Sequence, residues 1–229
     1  MKILITGVNG QVGHALMREM TDHELIGLTR QDCDLTNLDQ IKEVIDHYQP
    51  ELIINPAAYT KVDQAEDEPE LAFQINRDAP KVLAEKAREY HIPLIHFSTD
   101  YVFDGKKESP YLESDAPNPK SVYGLSKLDG EQLLQDIWQK HIILRVSWVF
   151  GAHGHNFVKT MLRLGKERES LNVVADQIGS PTYAADLAQA ILTILPNINN
   201  KSVKVLHYSN EGVCSWYDFA KTIFAIENM

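Results

Sequence analysis

Six short apolar runs alternate with helical patterns along the chain, and this alternation leaves few folds open. The runs are Ile3 to Thr6, Leu25 to Thr29, Leu52 to Asn55, Leu94 to Ser98, Ile142 to Val146 and Val205 to Tyr208. Helical spacing fills 12–20, 38–48, 69–90, 121–139, 156–168 and 184–195. Continuous apolar runs suit strands buried on both faces, as in a parallel sheet covered by helices. The expectation is an α/β fold, a doubly wound parallel sheet of the Rossmann-like kind, in which ligands bind beyond the carboxyl ends of the strands. At 229 residues, 44% of them hydrophobic, the chain is long enough to bury a sizeable core. The regular alternation loosens near residue 150, where Gly151-Ala-His-Gly-His-Asn reads as a flexible loop with solvated His153 and His155.

The first strand runs into Gly7-Val8-Asn9-Gly10-Gln11-Val12-Gly13 and then an amphipathic helix carrying Ala15, Leu16 and Met20. Glycine allows a sharp turn and close approach of the backbone to a ligand, and the positive end of the following helix suits a pyrophosphate. The spacing is G-x-x-G-x-x-G, shifted from the G-x-G-x-x-G of many dinucleotide sites, so an ordinary βα turn stays open as an alternative.

The remaining strand ends carry candidate site residues. The second ends in Thr29-Arg30, where an arginine can accept the 2′-phosphate of NADP and an acid would favour NAD. Asp34-Leu35 then either flanks an adenine or opens the next helix. The third ends in Asn55-Pro56-Ala57-Ala58-Tyr59-Thr60, whose small residues leave room for a cofactor or mark a tight packing point. The fourth ends in Phe97-Ser98-Thr99-Asp100, so the Thr99 hydroxyl is placed to polarise a carbonyl oxygen. Tyr123 and Lys127 lie four apart on one helical face, where an ammonium favours the ionised phenol. Thr99 would then orient the carbonyl, Tyr123 donate the proton, and Lys127 lower the tyrosine pKa.

A net charge of −10 with no basic stripe disfavours nucleic-acid binding. Cys33 and Cys214, far apart in sequence, suit reduced thiols in a cytoplasmic protein, acting as small packing residues. The apolar run before Gly7 is too short for a signal peptide and no stretch reaches the length of a membrane span. None of the nine histidines falls on a convincing metal-ligand spacing.

These residues resemble the extended short-chain dehydrogenases/reductases, and within them the dTDP-4-dehydrorhamnose reductase family. The glycine turn and Tyr123/Lys127 are shared by the wide superfamily. The narrower resemblance rests on Ser98-Thr99-Asp100-Tyr101-Val102-Phe103, Asn118-Pro119, Ser147-Trp148-Val149-Phe150 and Asp176-Gln177-Ile178-Gly179-Ser180-Pro181-Thr182. It implies reduction of a dTDP-4-keto sugar, dTDP-4-dehydro-L-rhamnose, by NADPH or NADH.

The resemblance also implies pyrophosphate contacts from Gly10, Gln11 and Val12, with Gly7, Asn9 and Gly13 further cofactor-binding residues, and adenosine contacts from Thr29, Arg30, Asp34 and Leu35. The nicotinamide side falls to Ala58, Tyr59 and Thr60, with Lys127 on the nicotinamide ribose and Ala57, Phe97, Ser98 and Tyr123 further cofactor-binding residues. Thr99, Asp100, Tyr101, Val62 and Trp148 would contact the sugar. Residues 1–150 would form the NAD(P)-binding domain. Residues 151–229 would form a substrate-binding portion interleaved with the sheet, a small lobe expected to be incomplete because relatives continue further. A homodimer is one expectation, and magnesium held by carboxylates is another that no particular residues here specify. At this level two alternatives stay open: a reductase or epimerase of another nucleotide sugar, and a noncatalytic cofactor-binding subunit.

Overall fold

The computed structural model describes residues 1–198 and 204–228. Its strands are β1 (Lys2–Thr6), β2 (Glu24–Leu28), β3 (Leu52–Asn55), β4 (Leu94–Thr99), β5 (His141–Val146), β6 (Val149–Phe150), β7 (Ile178–Gly179), β8 (Thr182–Tyr183), β9 (Lys204–Tyr208) and β10 (Cys214–Ser215). The α-helices are α1 (Gln11–Glu19), α2 (Leu38–Tyr48), α3 (Val62–Ala65), α4 (Pro69–Phe73), α5 (Ala79–Glu89), α6 (Val122–Ile137), α7 (Phe157–Glu167), α8 (Ala184–Ile194) and α9 (Trp216–Glu227).

The main sheet has six parallel strands in the order β2-β1-β3-β4-β5-β9. The chain leaves β1 for β2 on one side and then crosses to β3 on the other. The carboxyl ends of β1 and β3 therefore flank the switch point, where doubly wound sheets bind ligands. Successive strand residues point to opposite faces. Ile3, Ile5, Ile54 and Ile95 pack with Leu16, Leu187 and Ile191 of α1 and α8. Leu4, Ile53 and Ile143 pack on the other face with Ile41, Leu83 and Leu134 of α2, α5 and α6. Burying such side chains contributes about 1.5–3 kcal/mol each. Cys33 joins the second layer, and burial raises its thiol to about 11.

The stretch 69–90, expected as one helix, divides into α4, a wide π turn over Gln74–Asp78, and α5. The physical reason is Pro80, which has no N–H to offer the Asn76 carbonyl and whose ring crowds that oxygen in a regular helix. The wide turn relieves both problems and brings the Asn76 carbonyl against α6 at Gly130.

Beyond residue 150, α8 and β9 complete the main sheet and its covering layer, while α7 and α9 enclose a separate small core of Met161, Ala220 and Ile223. Ser215 and Asp218 form a reciprocal capping box at the start of α9. Among the described residues, no helix is long and apolar enough to cross a membrane.

Candidate active site

Gly7 turns the chain out of β1 with φ of +58°, and a Cβ there would lie 2.9 Å from that of Ala57. At Gly13 a Cβ would come within 2.4 Å of the Gly7 carbonyl oxygen, so α1 is pressed directly onto the turn. Gly10 opens α1 with no side-chain cap, and the first turn, which includes Gln11, Val12 and Gly13, carries no acid. An uncapped helix start beside a side-chain-free turn is a cradle that fits an anionic phosphate. Asn9 gives its carbonyl to His153 Nε2 at 2.9 Å, and the His153 ring stacks on His14 with centroids 4.0 Å apart. The Gln11 amide is also committed: it donates to the Val149 carbonyl at 3.2 Å and accepts from Asn156 at 2.9 Å. The loop at 151–156 is thus tied to the glycine turn, a correction to the reading of a flexible loop with a solvated His153. His155 is exposed.

At the end of β2, Thr29 donates from its amide and hydroxyl to Asp32. Arg30 lies 3.3 Å from Asp34 with its side chain 74% exposed. Asp34 accepts from the amide and hydroxyl of Thr36, while Asn37 caps α2. Asp34 therefore does not open that helix. Leu35 turns its side chain into the core beside Ile41.

Past β3, Ala57 and Ala58 are half-buried with nothing beyond Cβ to fill the crevice, and Thr60 is exposed. Asn76 grips the Tyr59 backbone twice, accepting from its amide at 2.9 Å and donating to its carbonyl at 3.0 Å. The Tyr59 phenol donates to Glu68 at 2.7 Å, and burial first, then that carboxylate, raise it to about 12. Val62 packs against the cluster holding Tyr59 and Tyr123.

The end of β4 meets the start of α6. Ser121 caps α6 by accepting from the Gly124 amide at 3.1 Å. Two glycines let α6 lie against backbone: a Cβ at Gly124 would come within 2.3 Å of the Tyr101 carbonyl oxygen, and one at Gly130 within 2.0 Å of that of Asn76. Ser126 donates to the Tyr123 carbonyl at 2.8 Å and accepts from Asn76 at 3.0 Å. These contacts fix the helix that carries Tyr123 and Lys127.

Thr99 donates to Asp100 at 3.1 Å and accepts from the Tyr101 amide at 3.2 Å. Burial raises Asp100 to about 6. Tyr123 is buried, with the Tyr101 ring edge-on at a centroid distance of 5.6 Å. Burial raises its phenol to about 12; the Thr99 hydroxyl opposes this, and Asp100 and Tyr101 add to it. Lys127 donates to the Phe97 carbonyl at 2.6 Å and lies 3.4 Å from His96 Nε2. Burial lowers it to about 8 against the pull of Glu131. The expected lowering of the tyrosine pKa by Lys127 is thus not what this arrangement produces, because desolvation dominates Tyr123 and the amine is engaged by Phe97. Ser98 Oγ is buried at the same strand end, with no hydrogen-bond partner.

Trp148 has φ of +48°, a strained value for a residue with a side chain. Its indole stacks on Trp216 with centroids 3.6 Å apart, and Gly179 closes on it so tightly that a Cβ there would lie 2.6 Å away. One face expected for a sugar is thus spent on Trp216. Among the described residues, no group of three His, Cys, Asp or Glu is placed to hold a metal ion.

The motif reading missed Asn76, His96, Ser126, Glu131 and Arg145, all buried polar or charged residues around the site. His96 had a visible signal: an imidazole inside the apolar run of β4. Asn76 had none, since its role depends on the π turn.

The family model described as the RmlD substrate binding domain matches residues 1–229. The dTDP-4-dehydrorhamnose reductase of Aggregatibacter actinomycetemcomitans is 47% identical over 97% of this chain and 78% of its own length. That of Escherichia coli K12 is 43% identical over 98% of this chain and 77% of its own. A crystal structure of the Bacillus anthracis dTDP-4-dehydrorhamnose reductase in complex with NADP superposes with a TM-score of 0.94 at 44% identity, covering 100% of this chain and 81% of that one. A whole-length family match, with relatives this similar and the same Rossmann-like sheet, places the chain in the RmlD substrate binding domain family.

Proposed function

We propose that this protein reduces the 4-keto group of dTDP-4-dehydro-L-rhamnose to give dTDP-L-rhamnose, using NADPH or NADH. The observation that carries the reading is the meeting of β4 and α6, where the Thr99 hydroxyl faces the Tyr123 phenol and Lys127 bonds the Phe97 carbonyl.

The side-chain-free turn and the small residues after β3 fit a dinucleotide. Gly10, Gln11 and Val12 would hold its pyrophosphate, Thr29, Arg30 and the Asp34-Leu35 turn its adenosine, and Ala57, Ala58, Tyr59 and Thr60 its nicotinamide side. When bound, the reduced nicotinamide supplies the hydride. Arg30 is exposed and held only by an exposed pair with Asp34, a weak tie that a 2′-phosphate can displace, so NADPH is the preferred donor. Residues 1–150 would contribute the cofactor side, and residues 151–229 most of the sugar-nucleotide side.

Tyr123 carries its proton at neutral pH, because a phenol near 12 is a poor base and remains loaded as an acid. An alkoxide forming at the sugar C4 is more basic still, so transfer from the Tyr123 hydroxyl to that oxygen is favourable. This matches the direction of a reduction. Thr99 donates to Asp100 but can redirect its hydroxyl to the carbonyl oxygen, polarising it as charge develops. Buried walls from Tyr59, Tyr123 and Phe97 restrict water around the reacting atoms.

Incubation with NADPH and dTDP-4-dehydro-L-rhamnose, with the product identified by NMR, tests the assignment. The expected product is dTDP-L-rhamnose, formed with stoichiometric NADPH oxidation. Turnover of UDP- or GDP-4-keto sugars, with none of the dTDP substrate, would overturn it.

A further inference from the structure

A chain of buried polar groups runs across the sheet behind the site and ends at Lys127. The Ala57 amide donates to Thr6 Oγ1 at 3.3 Å, and Thr6 Oγ1 donates to Asn55 Oδ1 at 2.6 Å. Asn55 Nδ2 lies 3.0 Å from His96 Nδ1, and His96 Nε2 lies 3.4 Å from Lys127 Nζ. Thr6, Asn55, His96 and Lys127 are all buried. They come from β1, β3, β4 and α6, so each strand around the switch point contributes one member.

The donors and acceptors fix the protons. Thr6 Oγ1 accepts from Ala57 and donates to Asn55 Oδ1, and Asn55 so turned presents its NH₂ to His96 Nδ1. His96 Nδ1 therefore accepts, and the ring proton sits on Nε2, facing Lys127. Two donors face each other across that 3.4 Å gap while Lys127 is an ammonium, and Nζ instead makes its short bond to the Phe97 carbonyl at 2.6 Å. Once Lys127 has lost a proton, its lone pair accepts the Nε2–H. Hydrogen bonding that favours the neutral form of a base makes its conjugate acid easier to dissociate.

We propose that His96 is a positioning residue for Lys127: Thr6 and Asn55 hold it as the Nε2–H tautomer, which favours the neutral amine at the end of β4. The inference rests on the reductase reading above.

The other groups facing the pair are few. Glu131, on the same helix face, favours the ammonium, but its carboxylate is held bidentate by Arg145. His141 of β5 opposes a charge on His96, its Nδ1 being engaged with the Trp138 carbonyl.

The test is NMR on the intact protein, with no substrate. Nitrogen-15 shifts of His96 should show a protonated Nε2 and an unprotonated Nδ1, and the Lys127 Cε shift should titrate near 8. In Asn55→Asp the new carboxylate draws the ring proton to Nδ1 and frees Nε2 to accept from the ammonium. The Lys127 titration should rise by about one unit or more, and the matching limb of the kcat profile should move with it at unchanged KM. Thr6→Val, which leaves the Asn55 amide free to turn over, should move it the same way by less, and serves if the aspartate variant fails to fold. His96→Gln, which can present an N–H to Nζ, should keep the titration low. A protonated Nδ1 in the wild-type spectrum, or a Lys127 titration unmoved in both Asn55→Asp and Thr6→Val, would overturn the proposal. Absence of turnover in the wild type with these NMR results intact would remove the reductase reading instead.

Discussion

At the residue scale, the site holds ionisable groups away from their ordinary values mainly by burial, and each should leave a measurable trace. Asp100 is raised to about 6, so the folded state binds a proton more tightly than the unfolded chain between about pH 4 and pH 6. Its contribution to stability is full below pH 4 and is lost as pH rises through 6. Asp100→Asn should therefore raise the denaturation midpoint at pH 7.5, with the difference vanishing below pH 4, while activity falls because the Thr99 partner has changed. A more stable, less active variant is what a strained functional carboxylate predicts. An unchanged midpoint at pH 7.5 would contradict the burial argument. Arg30 offers a second trace: because its pair with Asp34 is exposed, Arg30→Ala should leave stability alone. It should raise KM for NADPH by about tenfold, as expected for one charge-assisted contact to phosphate, and leave KM for NADH in place.

At the element scale, α6 is the part whose placement decides the chemistry, and it is set by what neighbouring backbones allow. Pro80 forces the π turn, the turn pushes the Asn76 carbonyl outward, and Gly130 leaves the space that receives it. Gly130→Ala would put a methyl group 2.0 Å from that oxygen, where no flexible side-chain end can give way. The expected cost is about 1–3 kcal/mol by urea denaturation, with a fall in kcat because Asn76 also grips Tyr59 and Ser126. Retention of both stability and kcat would show that α6 can shift freely. The strands of the main sheet were legible from sequence because each is a dense apolar run, and their carboxyl ends could be searched without knowing the contacts. The break at 74–78 was hidden because apolar spacing continues across it. Only the proline hinted at it, and a proline near a helix start is ordinary.

At the scale of the whole molecule, two apolar layers enclose the sheet, and a buried ion pair ties α6 to β5. Glu131 is fully buried and holds Arg145 through bonds of 2.6 to 3.2 Å, with Arg145 over the Phe103 ring. Glu131→Gln strands a buried guanidinium, with an expected loss of about 3–5 kcal/mol of stability. Replacing both partners with apolar residues of similar size should recover most of it, and a loss that persists in the double variant would argue against an uncompensated charge as the cause.

The sequence exposed Thr99, Tyr123 and Lys127 through spacing and strand position, but not the buried polar chain behind them. Thr6 and Asn55 lie 49 residues apart along the chain, Asn55 and His96 41 apart, and they become neighbours only when three strands align. The opposite failure occurred at Lys127, where helical spacing suggested a partner for Tyr123. Burial and the Phe97 carbonyl, which spacing does not reveal, decide its state.

The central claim is that the Tyr123 hydroxyl delivers the proton to a sugar ketone. It is tested most directly by following NADPH oxidation on mixing with dTDP-4-dehydro-L-rhamnose in the wild type and in Tyr123→Phe, with NADPH affinity titrated in both. The expected result is cofactor binding within about twofold and a rate lower by roughly 100-fold or more in the variant, the usual worth of a positioned acid. Wild-type turnover in Tyr123→Phe would contradict it.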